Sequence, residues 1–206
     1  MPISRLKDRL LHHSRLLLMA MGVDLRLRSE DRRVLETIIH PYYAGRADVQ
    51  QILSIGADWY TRGYRRQFRD RHYRVMELLA VKTRQYAGPG GITGSCTETD
   101  RFIPPASLDL ILFNGVFGYG LNDRESLQQA CRSFLHCLRP GGELVFGWDD
   151  VPWHAPFDPV PVPLELGFEP VTCPPLGSWR VLTETGSRHT FLFLRRPPET
   201  TTADGA

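Results

Sequence analysis

With 206 residues, 42% apolar content and a formal charge of +2, the chain is sized for one domain with a full core. Its charge lies too near balance to imply a nucleic-acid partner. Cys96, Cys131, Cys137 and Cys173 have neither CxxC spacing nor a disulfide framework, so reduced thiols in a cytoplasmic protein are expected and a metal site is not.

The first 28 residues start basic and carry a short apolar run, Leu16 to Met21. The run is too short to span a bilayer, Asp8 interrupts the basic region, and a small-residue cleavage pattern is missing. Leu6, Leu10, His13, Leu17 and Met21 fall on one face of a helix, with Arg5, Arg9 and Arg15 outside it. A helix docked on the domain is expected, weak peripheral contact with lipid headgroups being the alternative. Ser29, Glu30 and Asp31 read as an N-cap and acidic first turn, and Val34, Leu35, Ile38 and Ile39 continue at helical spacing until Pro41 stops the helix.

Gln51 to Gly56 reads as a first strand and Tyr73 to Leu78 as a second, with an Arg-rich helical segment around Tyr64 to Phe68 between them. A short helix from Ala80 to Tyr86 ends at Gly88-Pro-Gly-Gly91, and Ile92 to Cys96 reads as a short third strand. Ser107-Leu-Asp-Leu-Ile-Leu-Phe-Asn-Gly-Val116 and the segment after Cys137-Leu-Arg-Pro-Gly-Gly142 each carry a β-branched or apolar run bounded by turn residues, as buried strands do. Between them Asp123 caps a helix with Leu127, Cys131, Phe134, Leu135 and Leu138 on one face. Such alternation predicts a mostly parallel sheet with helices on both faces. Residues 149–163 read as an irregular, Pro-rich loop. Leu166-Gly-Phe168 reads as a helix end or turn, and two further β-like runs follow, one within Pro170 to Leu182 and one from His189 to Leu194. The tail from Pro197 to Ala206 is polar and is expected to be disordered.

The Asp-Leu-Ile-Leu strand followed by a helix and Leu-Arg-Pro-Gly-Gly resembles the second half of a class I S-adenosylmethionine-dependent methyltransferase of the type 11-like kind. The resemblance covers roughly Val49 to Leu194. It implies a Rossmann-like α/β sandwich with a mostly parallel seven-stranded sheet and an antiparallel C-terminal strand. The implied division is an N-terminal helical cap over 1–48, the α/β domain over 49–196 and a tail over 197–206.

Relatives place an acid and three spaced glycines after the first strand. Here that run is Leu53-Ser-Ile-Gly-Ala-Asp-Trp-Tyr-Thr61, in which only Gly56 remains. By the resemblance Gly56 lets the backbone pass under the cofactor's amino acid end, and Asp58 supplies a carboxylate to its ammonium. Glu77 lies 21 residues beyond Gly56, the interval at which a carboxylate reaches ribose hydroxyls in nucleotide-binding α/β folds. A solvated strand-end Glu is the plainer alternative. Ser95, Cys96 and Thr97 match the adenine contact, and Asn114 ends the fourth strand at the edge where ligands bind.

Around the acceptor the candidates are His154, Asp149 and Tyr119. A His paired with a carboxylate could take a proton from an acceptor hydroxyl, although a loop His is commonly just solvated. His189, inside a strand, reads as structural. The function implied is S-adenosylmethionine-dependent methyl transfer to a small-molecule or glycan-like acceptor, without nucleic acid or an integral membrane span. Its rival is a scaffold of the same fold that has lost the cofactor. A nicotinamide enzyme is disfavoured because GxGxxG is absent.

Overall fold

The computed structural model describes Ser14, Arg15, Leu17, Leu18, Met21, Val23 and residues 25–199. Most of the expected docking helix and of the polar tail therefore lies outside the described residues. In chain order the elements are helix α1, which runs through Glu30–Val34, a π-helical stretch Leu35–Ile39 and His40–Ala44, then β1 (Gln51–Ile55), α2 (Tyr64–Gln67) and β2 (His72–Glu77). Next come α3 (Ala80–Lys82, continued by a π turn Thr83–Ala87), β3 (Ile92–Thr93), a 3-10 segment (Cys96–Arg101), β4 (Leu108–Asn114) and α4 (Arg124–Cys137). The chain closes with β5 (Leu138–Asp149), α5 (Pro161–Glu165), β6 (Glu169–Pro170), β7 (Arg180–Leu182) and β8 (His189–Arg195).

The strands form one sheet in the order β3-β2-β1-β4-β5-β8, with β6 and β7 both pairing the far side of β8. β1 to β5 are mutually parallel and β8 runs antiparallel to β5, the arrangement that the methyltransferase resemblance implies. The period of two along β4 assigns its side chains to opposite cores. Ile111 and Phe113 pack with Leu127, Cys131 and Phe134 of α4, whereas Leu110 and Leu112 pack with Val34, Leu35, Ile39 and Tyr43 of α1. Fully burying each such large apolar side chain is worth about 1.5–3 kcal/mol, so both helix layers are held tightly. Asp123 caps α4 as expected, its Oδ1 accepting from Ser126 N at 2.8 Å.

Some expectations change. Pro41 does not end α1, because the preceding turn is π-helical. One extra residue there relieves the i to i−4 bonding that a proline ring would otherwise disrupt, and the helix ends at Gly45 instead. Pro140-Gly-Gly142 is not a separate turn but an irregularity within β5, where the register with β4 shifts between Leu108 and Leu110. A Cβ at Gly142 would meet the carbonyls of Arg139 and Leu108 at 2.9 Å, so the bulge requires glycine. The third strand is two residues long, and the C-terminal region holds three strands rather than two.

Candidate functional site

At the carboxyl ends of β1, β2, β4 and β5 and the amino end of β8 lies a cavity of about 830 Å³. All six expected cofactor residues, Gly56, Asp58, Glu77, Ser95, Cys96 and Asn114, line it, together with Tyr119 and Asp149. His154 does not line it.

Gly56 follows β1 with φ +89°, and its N–H donates to the Met76 carbonyl at 2.8 Å, joining the ends of β1 and β2. Glu77, the last residue of β2, ties two loops. Its Oε2 accepts from Ala57 N at 2.8 Å and its Oε1 from Leu79 N at 2.9 Å. Each carboxylate oxygen has a further lone pair, so these bonds orient Glu77 and leave it capacity for hydroxyl donors. Leu78 and Leu79 line the cavity beside it while remaining 64% and 51% exposed, which makes an apolar shelf next to a carboxylate. Ser95 caps the 3-10 segment, its hydroxyl accepting from Thr97 N at 3.3 Å. Burial pushes the Cys96 thiol up to about 11, so it is a packing group and not a nucleophile.

Asp58 is already engaged. Its Oδ2 accepts from Lys82 Nζ at 2.8 Å and its Oδ1 from Trp59 N at 2.7 Å, so the carboxylate expected to meet a cofactor ammonium carries one of the chain's own. A cation outside the expected set sits nearby. Arg32 of α1 lines the cavity at 8% exposure, donates from Nη1 to the Tyr64 hydroxyl at 3.0 Å, and lies over the Tyr60 ring at 4.7 Å. Its Nη2 comes within 3.6 Å of where a Cβ of Gly115 would stand. The buried face of an amphipathic helix gave no signal that an arginine on it would open onto a cavity.

His189, expected to be structural, stands in the polar network of the site. Its Nδ1 meets Asp149 Oδ1 at 2.6 Å and its Nε2 meets Asn114 Oδ1 at 2.9 Å, bridging β4 and β5 from β8. A neutral imidazole satisfies both bonds only with the Asn114 amide turned so that Nδ2 donates, and in the present orientation that nitrogen is buried without a partner. Both ring nitrogens are used, so His189 positions Asn114 and Asp149. Asp149 Oδ2 accepts from the Tyr119 hydroxyl. Burial opposes ionisation of Asp149, but the bonds from His189 and Tyr119 outweigh it and hold its carboxyl at about 2. So acidic a group is a poor proton acceptor. The Tyr119 phenol is raised above its usual range by partial burial and by the Asp149 carboxylate. His154 stacks on the Tyr119 ring with centroids 4.4 Å apart.

Two outcomes follow from this network. A depressed carboxylate pKa stabilises the fold at pH above its ordinary value of 3.8, and that contribution is lost as pH falls towards about 2. Melting temperatures of the parent and of Asp149→Asn are therefore expected to differ at pH 5 and to converge by about pH 2. Gly147 of β5 makes room for the bridge, since a Cβ there would stand 1.8 Å from Asn114 Oδ1 and 2.9 Å from His189 Nε2. Gly147→Ala is expected to cost about 1–3 kcal/mol in denaturant unfolding, the range for overpacked cores.

The sequence matches no family model and no curated protein. Solved structures, in contrast, are similar over most of the chain. The N-methyltransferase NodS from Bradyrhizobium japonicum WM9 superposes with a TM-score of 0.59 at 18% identity, over 81% of this chain and 96% of its own. Its complex with S-adenosyl-L-homocysteine gives 0.59 at 17%, over 82% and 94%. A TehB-like SAM-dependent methyltransferase from Corynebacterium glutamicum gives 0.56 at 15%, over 91% and 96%. The [4+2]-cyclase SpnF gives 0.57 at 13%, over 90% and 92%. With the strand order, these likenesses establish the class I methyltransferase fold.

Proposed function

We propose that the protein binds S-adenosylmethionine across the carboxyl edge of the sheet and transfers its methyl group to a small-molecule or glycan-like acceptor. The observation that carries this reading is the Glu77 carboxylate, aimed by Ala57 N and Leu79 N at the mouth of a cavity that also holds Gly56 and Asn114. A carboxylate for ribose hydroxyls, the Leu78 and Leu79 shelf for a flat base, Ser95 and Cys96 beyond it, and a glycine turn for the amino acid end form a matching set. Arg32 adds a guanidinium suited to the cofactor's carboxylate, with Asp31 at 3.5 Å from its Nε just as Lys82 stands 2.8 Å from Asp58.

When bound, the cofactor supplies an activated methyl group. The chain's task is then to align the acceptor and exclude water. Tyr119, held by Asp149 and stacked on His154, is positioned to contact the acceptor, and residues 1–48 are assigned as a cap on the domain formed by 49–196. A cytoplasmic setting is favoured by Cys96, Cys131, Cys137 and Cys173, which are all free. Among the described residues no helix is long and apolar enough to cross a membrane.

A scaffold without cofactor is the second reading, favoured by the Asp58 to Lys82 pair and by the loss of all but one motif glycine. The [4+2]-cyclase SpnF has a similar fold, so fold does not dictate methyl transfer. Calorimetric titration with S-adenosylmethionine, S-adenosylhomocysteine and NAD(H) separates the readings. Saturable binding of the two sulfur compounds and not of NAD(H) is expected, and absence of both even at about millimolar concentration would establish the scaffold.

A further inference from the structure

None of the six arginines in the run from Arg62 to Arg74 lines the cavity above. Three of them, Arg65, Arg71 and Arg74, line a second cleft of about 630 Å³ with Gln51, His72 and Ser107. Gln51 opens β1, His72 opens β2, and Ser107 immediately precedes β4. This cleft is therefore at the amino edge of the sheet, opposite the cofactor cavity.

No carboxylate lines the cleft, and among the described residues none of the three guanidinium groups is in an ion pair. Arg65 donates to the carbonyls of Ala87 at 3.0 Å and Pro89 at 2.8 Å, and Arg71 to those of Ala44 at 3.0 Å and Arg46 at 3.3 Å. Carbonyls fix the position of these cations without neutralising them. Arg74 donates to no described residue, and its Nε, like that of Arg71, is buried with no partner. Three positive charges around one concavity, two of them held in place by carbonyls and with an imidazole beside them, repel one another, and an anion between them would offset that repulsion.

We propose that this cleft binds a phosphate-bearing small molecule, with the fork of Arg74 on the phosphate and Arg65 and Arg71 supplying the surrounding positive field. Guanidinium forks match carboxylate and phosphate alike, and three of them together balance a multiply charged oxyanion better than a single carboxylate. A nucleic acid fits less well. Tyr73 is 4% exposed and is already covered by Arg65 at 5.6 Å, so only the single exposed ring of His72 is left for stacking bases, too little for a platform along a strand.

Calorimetric titration of the intact protein with inorganic phosphate and with pyrophosphate, in a phosphate-free buffer of low salt, tests this. One saturable site is expected, with pyrophosphate the tighter ligand, and Arg74→Gln should weaken it at least about tenfold, as loss of a charge-assisted pair does. Arg74→Lys, which keeps the charge and loses the fork, should fall between. Because Arg74 donates to no described residue, both variants should melt as the parent does and bind S-adenosylhomocysteine with the parent's affinity or lack of it, which keeps this outcome separate from the function proposed above. No saturable heat up to about 10 mM pyrophosphate, or unchanged affinity in Arg74→Gln, overturns the proposal. So does a single-stranded oligonucleotide that binds about 100-fold more tightly than pyrophosphate, which would make the cleft part of a nucleic-acid surface.

Discussion

Gly56→Val is expected to abolish S-adenosylhomocysteine binding, by at least about 100-fold, while the chain still folds. At φ +89° the backbone is in a region that glycine enters freely and a β-branched residue does not. A Cβ would already touch Val116 Cγ2 at 3.4 Å, so the two γ-methyls of valine must be directed into the loop after β4 or into the cavity. Strain of about 1–3 kcal/mol is bearable for a sheet buried on both faces, but the turn that should pass under the cofactor cannot keep its shape. Circular dichroism checks the fold and calorimetry the binding. An unaltered dissociation constant would show that the ligand does not pass over this turn.

The second large effect concerns Glu77. Glu77→Ala should weaken S-adenosylhomocysteine by at least about tenfold, since two hydroxyl bonds to a carboxylate are worth about 1.5–3 kcal/mol each before the cost of ordering. The same change strands Ala57 N and Leu79 N, whose acceptor Glu77 is, so some loss of thermal stability should accompany it. Glu77→Gln keeps one of the two acceptors and sets an amide donor against the other N–H, so it should lose part of the stability that Glu77→Ala loses. If Glu77→Gln loses less stability than Glu77→Ala but as much affinity, the carboxylate acts on ligand. If Glu77→Ala loses only stability and binds normally, Glu77 is a loop tie and lies outside the site.

The strands were legible because burial on both faces leaves an unbroken apolar run, as in Leu110-Ile-Leu-Phe113, whose period of two then divides between the helix layers. Glu77 was legible too, because the βαβ unit sets the interval between a first turn and the next strand end. Pro41 misled for a local reason. The rule that proline stops a helix assumes a regular turn before it, and a π turn suspends that assumption. The β-like run expected within Pro170 to Leu182 divides into β6 at its start and β7 at its end, each too short to carry a period of its own, and only pairing with β8 separates the two.

For the site the division is sharper. Which residues end β1, β2 and β4 followed from chain order alone, since parallel strands joined by right-handed crossovers bring their carboxyl ends to one edge. Gly56, Glu77 and Asn114 were found in that way. What stands beside them was not. The antiparallel return of β8 puts His189 opposite Asp149 in register, and the missing side chain at Gly147 lets its imidazole reach Asn114. Lys82 reaches Asp58 across 24 positions of chain, and Arg32 comes from a helix ahead of the whole sheet. Propensity and periodicity act over a few residues, so the sequence by itself determined the sheet and the edge at which the cavity opens. The partners of each charged group depend on contacts between distant segments, and only the packed tertiary structure decided them.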